Sequence, residues 1–355
     1  MASKAEGIKV TRDVQYGKAA GERLLLDVYD PGGGGLRPGL VAVHGGRWAR
    51  GDKSGMPAEL FAKRGHVVFA PNYRLAPDHP YPAAVHDVET AVRWVRAHAD
   101  EYRLDPGRIW ALGGSAGGHL VAMLATRAQG DAPIRVAVSY SGPMDLELLA
   151  DSREELEEAV TTFLGCKRWD GHCRAIARSA SPITYVDPGD APLYVAHGAN
   201  ERIPFNQASA MAKELTDEGV THRLHKVPGD RHSLQYVETV IHPSFAFATR
   251  HMVSPSPASG SGSGTGSGSG PQGPTGGQPS SPAGGGEGEK GDSESEDRGD
   301  GTRTETQPAA APSPARSAAE ETGGFGWVIV VIVVAIVGGA VILALLVFRE
   351  PPQGP

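Results

Sequence analysis

Ile109-Trp110-Ala111-Leu112-Gly113-Gly114-Ser115-Ala116-Gly117-Gly118, continued by His119-Leu120-Val121-Ala122-Met123-Leu124, is the stretch whose reading decides the fold. An apolar run enters a serine set among glycines and leaves as a second apolar run with helical character, the strand, tight turn and helix of a nucleophile elbow. A serine hydroxyl is a poor nucleophile. It needs a turn sharp enough to lift its oxygen toward a base and an incoming carbonyl. Glycines two positions to either side let the crossing backbones pass. In a chain with 48 glycines such a pentapeptide also arises in ordinary loops, so the segments around it carry the reading.

Upstream, Leu24 to Tyr29 reads as an early antiparallel strand closed by Asp30-Pro31 and four glycines. Val41-Ala42-Val43 and Val67-Val68-Phe69-Ala70 are short continuous apolar runs suited to strands buried on both faces, with a helix at Ala58 to Arg64 between them. Val85, Val88, Val92 and Val95 fall at helical spacing, and Leu104-Asp105-Pro106-Gly107 stops that helix. Beyond the elbow, Ile134 to Tyr140 and Leu193 to Ala196 read as strands, and Ala208 to Glu218 and Leu234 to Ile241 as helices. Strands alternating with helices predict an α/β fold, a mostly parallel central sheet covered on both faces, with active residues at the strands' carboxyl ends. The long connection from Asp145 to Asp190 has no obvious strand and is placed to form part of a lid.

An acyl-transfer site needs a nucleophile, a base, an orienting carboxylate and donors for the oxyanion. Ser115 is the candidate nucleophile. His44-Gly45-Gly46 follows a buried strand, where Gly45 and Gly46 can aim N–H groups at a developing oxyanion, with the N–H of Ala116 as a further donor. His232 lies in Val227-Pro228-Gly229-Asp230-Arg231-His232-Ser233, after the last strand, where the chain order serine, acid, histidine puts the base. His119, on the helix after the elbow, reads as structural. Glu201, in the loop after the strand at 193–196, is the candidate acid, and Asp145 after the preceding strand is the fallback.

Residues 8 to 250 together resemble the α/β-hydrolase fold, and more narrowly the esterase and lipase group related to hormone-sensitive lipase, carbohydrate acyl esterases and kynurenine formamidase. The resemblance is carried by His44-Gly45-Gly46-Arg47-Trp48, Asn72-Tyr73-Arg74-Leu75-Ala76-Pro77, the elbow, Ser181-Pro182-Ile183 and the loop ending at His232. It implies Ser115 as nucleophile, His232 as base, hydrolysis of an ester or related acyl bond, and neither metal nor organic cofactor. Two departures stand out. Arg47 occupies a position where hormone-sensitive-lipase relatives carry a third glycine, which leans toward the formamidase and acyl-esterase branch. Glu201 stands for the family's Asp in a segment one residue short before Pro204, an alignment that also allows Asn200 at the acid position. A small acyl ester is the expected substrate; an impaired binding scaffold on the same fold and an amide or formamide hydrolase are the alternatives.

Amino-acid usage divides the chain into a globular catalytic domain at 1–252, a Gly/Ser/Pro/acidic linker at 253–324, an uncharged run at 325–348 and a short tail at 349–355. The formal charge of −7 lies almost wholly in the linker, where ten acidic residues face four basic ones and aromatic residues are missing. Such a segment buries too little apolar surface to offset its ordering entropy and is expected to be disordered. The domain itself is near neutral, with no basic stripe to support a nucleic-acid partner. The 24 residues from Phe325 to Phe348 carry no charge and read as a transmembrane helix. The N-terminus has no signal-like apolar core, so a C-terminal tail anchor with the catalytic domain in the cytoplasm is expected. Basic flanks do not orient it, with Arg316 before the run and Arg349 after. In that compartment Cys166 and Cys173 are expected as reduced thiols. The oligomeric state is left open.

Overall fold

A computed structural model of the chain describes residues 7–127, 132–252, 329–337 and 340–348. Strands β1 (Lys9–Ala19), β2 (Glu22–Asp30), β3 (Arg37–Val43), β4 (Val67–Pro71), β5 (Leu104–Gly114), β6 (Ala137–Tyr140), β7 (Leu193–Gly198) and β8 (His222–Val227) form one sheet in the order β1-β2-β4-β3-β5-β6-β7-β8. β1 pairs antiparallel with β2, and β2 antiparallel with β4; from β4 through β3 to β8 the pairing is parallel. Every residue of β4, β6 and β7 is buried, which is why these segments read as unbroken apolar runs.

Helices cover both faces. α1 (Ala58–Ala62) and α8 (Val237–Met252) pack on the face that presents Leu40, Val68, Trp110 and Leu112. The opposite face, presenting Val41, Phe69 and Ala111, takes α2 (Ala83–Ala97), α3 (Ala116–Thr126) and, further along, α7 (Asn206–Asp217). α2 meets the sheet through Val85, Val88, Val92 and Val95, the stripe its sequence spacing predicts. α3 is buried along its whole length, so the helix behind Ser115 is fixed by packing on all sides.

The connection from Asp145 to Asp190 is helical: α4 (Leu146–Ala150), α5 (Glu154–Leu164) and α6 (Gly171–Ser179) stack beside one another. Their hydrophobic residues join the core on the α3 side. Cys166 and Cys173, expected as thiols, are joined in a disulfide between the end of α5 and the start of α6. The left-handed turn at Gly165 folds the chain back there and brings the two Cα atoms to 5.8 Å, within bonding reach. β1, and β8, to which the sequence assigns no bounds, are the two edges of the sheet and are only partly buried. Their mixed polar composition hides them from an apolar-run search.

The C-terminal unit differs from its expected transmembrane helix. Ile329–Val337 (β9) and Ala340–Phe348 (β10) are antiparallel strands, with Val337 opposite Ala340. The physical reason lies in the run itself: it is dominated by β-branched Val and Ile and interrupted by Gly338-Gly339, a hairpin signal that hydropathy alone passes over. No helix among the described residues is long and apolar enough to cross a membrane. The expected linker at 253–324 and the tail at 349–355 lie outside the described residues.

Burial sets the acid stability of the domain. His66 packs edge-on against Trp110 and Phe245, and burial pushes its ring down to about 4; burial does the same to His119. An unfolded histidine takes its proton near 6.5, so between that pH and about 4 the unfolded chain binds protons that the native chain refuses. Native stability is therefore complete above about 6.5 and falls as pH drops to about 4, by roughly 3 kcal/mol per ring. Urea unfolding followed by tryptophan fluorescence from pH 7 to 4 is expected to trace this slope, and His66→Phe to flatten it by up to one proton.

Candidate active site

β5 ends at Gly114, α3 begins at Ala116, and Ser115 between them takes φ 56° and ψ −122°, a conformation that L-residues rarely adopt. The flanking glycines are required by contact. A Cβ on Gly113 would lie 2.2 Å from the carbonyl oxygen of Gly117, and one on Gly117 would lie 2.1 Å from that of Val43. The Ser115 N–H donates to the Tyr140 carbonyl at 2.8 Å, which ties the elbow to the end of β6.

The glycine loop after β3 lies directly against the elbow: a Cβ on Gly45 would be 2.7 Å from the Gly114 carbonyl oxygen and 3.1 Å from the Ser115 Cβ. The N–H groups of Gly45 and Gly46 have no hydrogen-bond partner among the described residues. His44 Nδ1–H donates to the Gly45 carbonyl at 2.8 Å, and its ring stacks on Tyr73 with centroids 4.3 Å apart. Burial pushes His44 below its ordinary range, so the ring is neutral and its donor fixed. Trp48 holds the far side of the loop. Its indole N–H donates to His119 Nδ1 at 3.1 Å, and His119 Nε2–H donates to the Ala180 carbonyl at 2.7 Å. His119 thus locks the loop to α3 and α6 as a neutral ring.

His232 and Glu201 are brought together. The Nδ1–H of His232 donates to Glu201 Oε2, and the His232 backbone N–H is held by Gln235 Oε1 at 2.7 Å. Glu201 Oε1 accepts from Ser141 Oγ at 2.5 Å and from the Gly198 N–H at 3.0 Å. His197 Nε2–H donates to the Ile203 carbonyl at 3.0 Å, and the nitrogen lies 3.3 Å from Oε1. Burial lowers His197 below its ordinary range, so the ring is neutral and this approach is not an ion pair. Gly198 makes room for the methylene that distinguishes Glu from Asp: a Cβ there would come within 3.2 Å of Glu201 Cβ and 3.3 Å of its Cγ. Asn200 is exposed, and Asp145 is engaged elsewhere, capping α4 by accepting from the N–H groups of Glu147 and Leu148 at 3.0 Å.

Three residues around the carboxylate have no role in the sequence reading. Besides its bond to Glu201, Ser141 Oγ accepts from the Ser233 N–H at 2.9 Å and lies 2.6 Å from the Tyr236 hydroxyl. Tyr236 in turn donates to the Ala196 carbonyl at 2.8 Å, and burial raises its hydroxyl so that it keeps its proton. His197 is the third. Ser141 was within reach, because it sits at the carboxyl end of β6 where active groups gather in such sheets.

Ser115, Gly45, Gly46, Ala116 and His232 line one cavity of about 310 Å³. Leu149 from α4 and Leu156 and Ala159 from α5 form its apolar wall, the place expected for a lid. No group of His, Cys, Asp and Glu side chains among the described residues is arranged to hold a metal ion.

Comparison with known proteins bears on this arrangement. The chain is 30% identical over 248 residues to esterase LipQ of Mycobacterium tuberculosis, covering 65% of this chain and 58% of that one. It is also 30% identical over 220 residues to the probable carboxylic ester hydrolase LipM of the same organism, over 57% of this chain and 51% of the relative. The chain thus spans about half to three fifths of the length of these curated relatives. Among solved structures, esterase 2 of Thermogutta terrifontis phosphonylated by sarin aligns with a TM-score of 0.59 at 26% identity, over 72% of this chain and 99% of that one. A truncated carbohydrate esterase from gut microbiota aligns at 0.61 and 20% identity, over 69% and 96%, which speaks for the fold. Residues 26–215, more than half of the chain, match the BD-FAE family model, and the chain with its α/β-hydrolase sheet belongs to the BD-FAE family.

Proposed function

We propose that this protein is a carboxylic ester hydrolase that cleaves small acyl esters through an acyl-enzyme, with Ser115 as nucleophile, His232 as general base and acid, and Glu201 as the orienting carboxylate. The observation that carries the reading is the Glu201–His232 Nδ1 contact at a cavity also lined by Ser115. With Nδ1 engaged, the tautomer is set, and Nε2 is the nitrogen left to take the serine proton. Attack of Ser115 Oγ on the ester carbonyl moves that proton to Nε2 and forms a tetrahedral oxyanion. The N–H groups of Gly45, Gly46 and Ala116 are the donors for it. Collapse expels the alcohol, protonated by His232, and the same ring then activates water to release the acid. The names of LipQ, LipM and the Thermogutta esterase support ester chemistry over amide or formamide chemistry.

Hydrolysis of 4-nitrophenyl butyrate tests the assignment. Ser115→Ala is expected to lower kcat by about 10⁴-fold or more, and Glu201→Gln by about 10²–10⁴-fold. A wild type no faster than Ser115→Ala, with both folded by circular dichroism, would instead support a binding scaffold. Asp145→Ala separates capping from catalysis. It is expected to cost about 1 kcal/mol of stability in urea unfolding while kcat stays within about threefold of wild type.

A further inference from the structure

Three arginines line the cavity that holds Ser115: Arg47 and Arg50 of the glycine loop, and Arg202 in the turn after β7. Arg47 is half-buried and the other two are exposed. None of the three makes a side-chain hydrogen bond or an ion pair with a described residue. Arg37 and Arg74, away from the site, are each tied to a carboxylate. Asp52 is the acidic residue among those lining the cavity, and its Oδ1 accepts from the Ser54 N–H at 2.7 Å. An adjoining cavity of about 190 Å³ continues past Arg47 and Arg50 toward α5, where Glu158 lines it without pairing to either arginine.

The backbone supplies a second, independent observation. Arg47 sits at φ 57° and Trp48 at φ 58°, both in the left-handed region where a side chain is strained and glycine is not. Trp48 recovers that cost by burial, stacking on Phe163 at 4.5 Å and bonding His119. Arg47 has no such partner, and the residue lines the cavity. Backbone strain of this kind clusters at active sites and ligand clamps.

We propose that the substrate is an ester bearing a carboxylate on its acyl or its alcohol half, and that Arg47, Arg50 and Arg202 hold this carboxylate while Ser115 attacks the ester. The inference rests on the hydrolase reading above and names its substrate class. A guanidinium fork matches a carboxylate in shape and charge. The chemistry is ordinary hydrolysis: the acyl C–O bond breaks, water supplies the new acyl oxygen, the leaving alcohol takes a proton, and the bound carboxylate is unchanged.

Two matched pairs of substrates test it. Mono-4-nitrophenyl glutarate against 4-nitrophenyl valerate places the carboxylate on the acyl side; 4-acetoxybenzoate against its methyl ester places it on the alcohol side. The ratio of kcat/KM, acid over neutral, is taken within each protein, so a partial loss of folding cancels. In at least one pair the triple variant Arg47→Gln, Arg50→Gln, Arg202→Gln is expected to lower this ratio about tenfold or more, chiefly through KM, with Arg47→Lys keeping part of it. High salt is expected to lower the wild-type ratio in the same pair. A ratio equal in wild type and triple variant for both pairs, or turnover of the neutral esters alone, overturns the inference. A wild type that hydrolyses none of the four substrates overturns the ester-hydrolase reading instead.

Discussion

Glu201 is a buried carboxylate on which donors from three segments converge: the Gly198 N–H, the hydroxyl of Ser141 and the ring of His232. A carboxylate cannot be left in an apolar interior without such partners, since an unpaired one costs several kcal/mol. The requirement acts in both directions. It gathers the carboxyl ends of β6 and β7 and the loop after β8 around one point, and it orients the imidazole that faces the cavity. Removing any donor disturbs the others, because Ser141 also anchors the Ser233 N–H and lies beside Tyr236.

A second clamp works on the opposite side of Ser115. There the glycine loop after β3 is held by neutral aromatic groups: His44 on Tyr73, and Trp48 between Phe163 and His119. Neither ring carries charge into the site, because burial lowers both histidines. Ser115 therefore stands between a charged, hydrogen-bonded mount on one side and a neutral, stacked mount on the other. The first fixes the orientation of the His232 ring; the second leaves the N–H groups of Gly45 and Gly46 without partners among the described residues.

Much of this was legible in the sequence because it rests on local rules. The elbow needs glycines at fixed offsets, buried parallel strands need unbroken apolar runs, and α2 announces itself by valines at helical spacing. What was not legible depends on distance in space. Ser141 meets Glu201 across 60 residues, and Tyr236 meets Ser141 across 95, with no motif to signal either. The choice between Glu201 and Asp145 was open for the same reason: both follow strands, and only the folded chain separates a helix cap from an imidazole partner. The hydropathy of 325–348 misled differently, since an uncharged run of Val and Ile satisfies a span rule while its branching and its Gly-Gly break favour strands.

The disulfide between Cys166 and Cys173 closes a short loop, and it does so outside the sheet. Closing a ring of about eight residues removes about 2.5 kcal/mol of loop entropy from the unfolded chain at 25 °C. That benefit belongs to α5, which walls the cavity, and to α6 beside it, and not to the strands whose ends precede Ser115, Glu201 and His232. One covalent tie therefore restrains local opening in the helical wall of the cavity, while the sheet itself is held by noncovalent contacts alone.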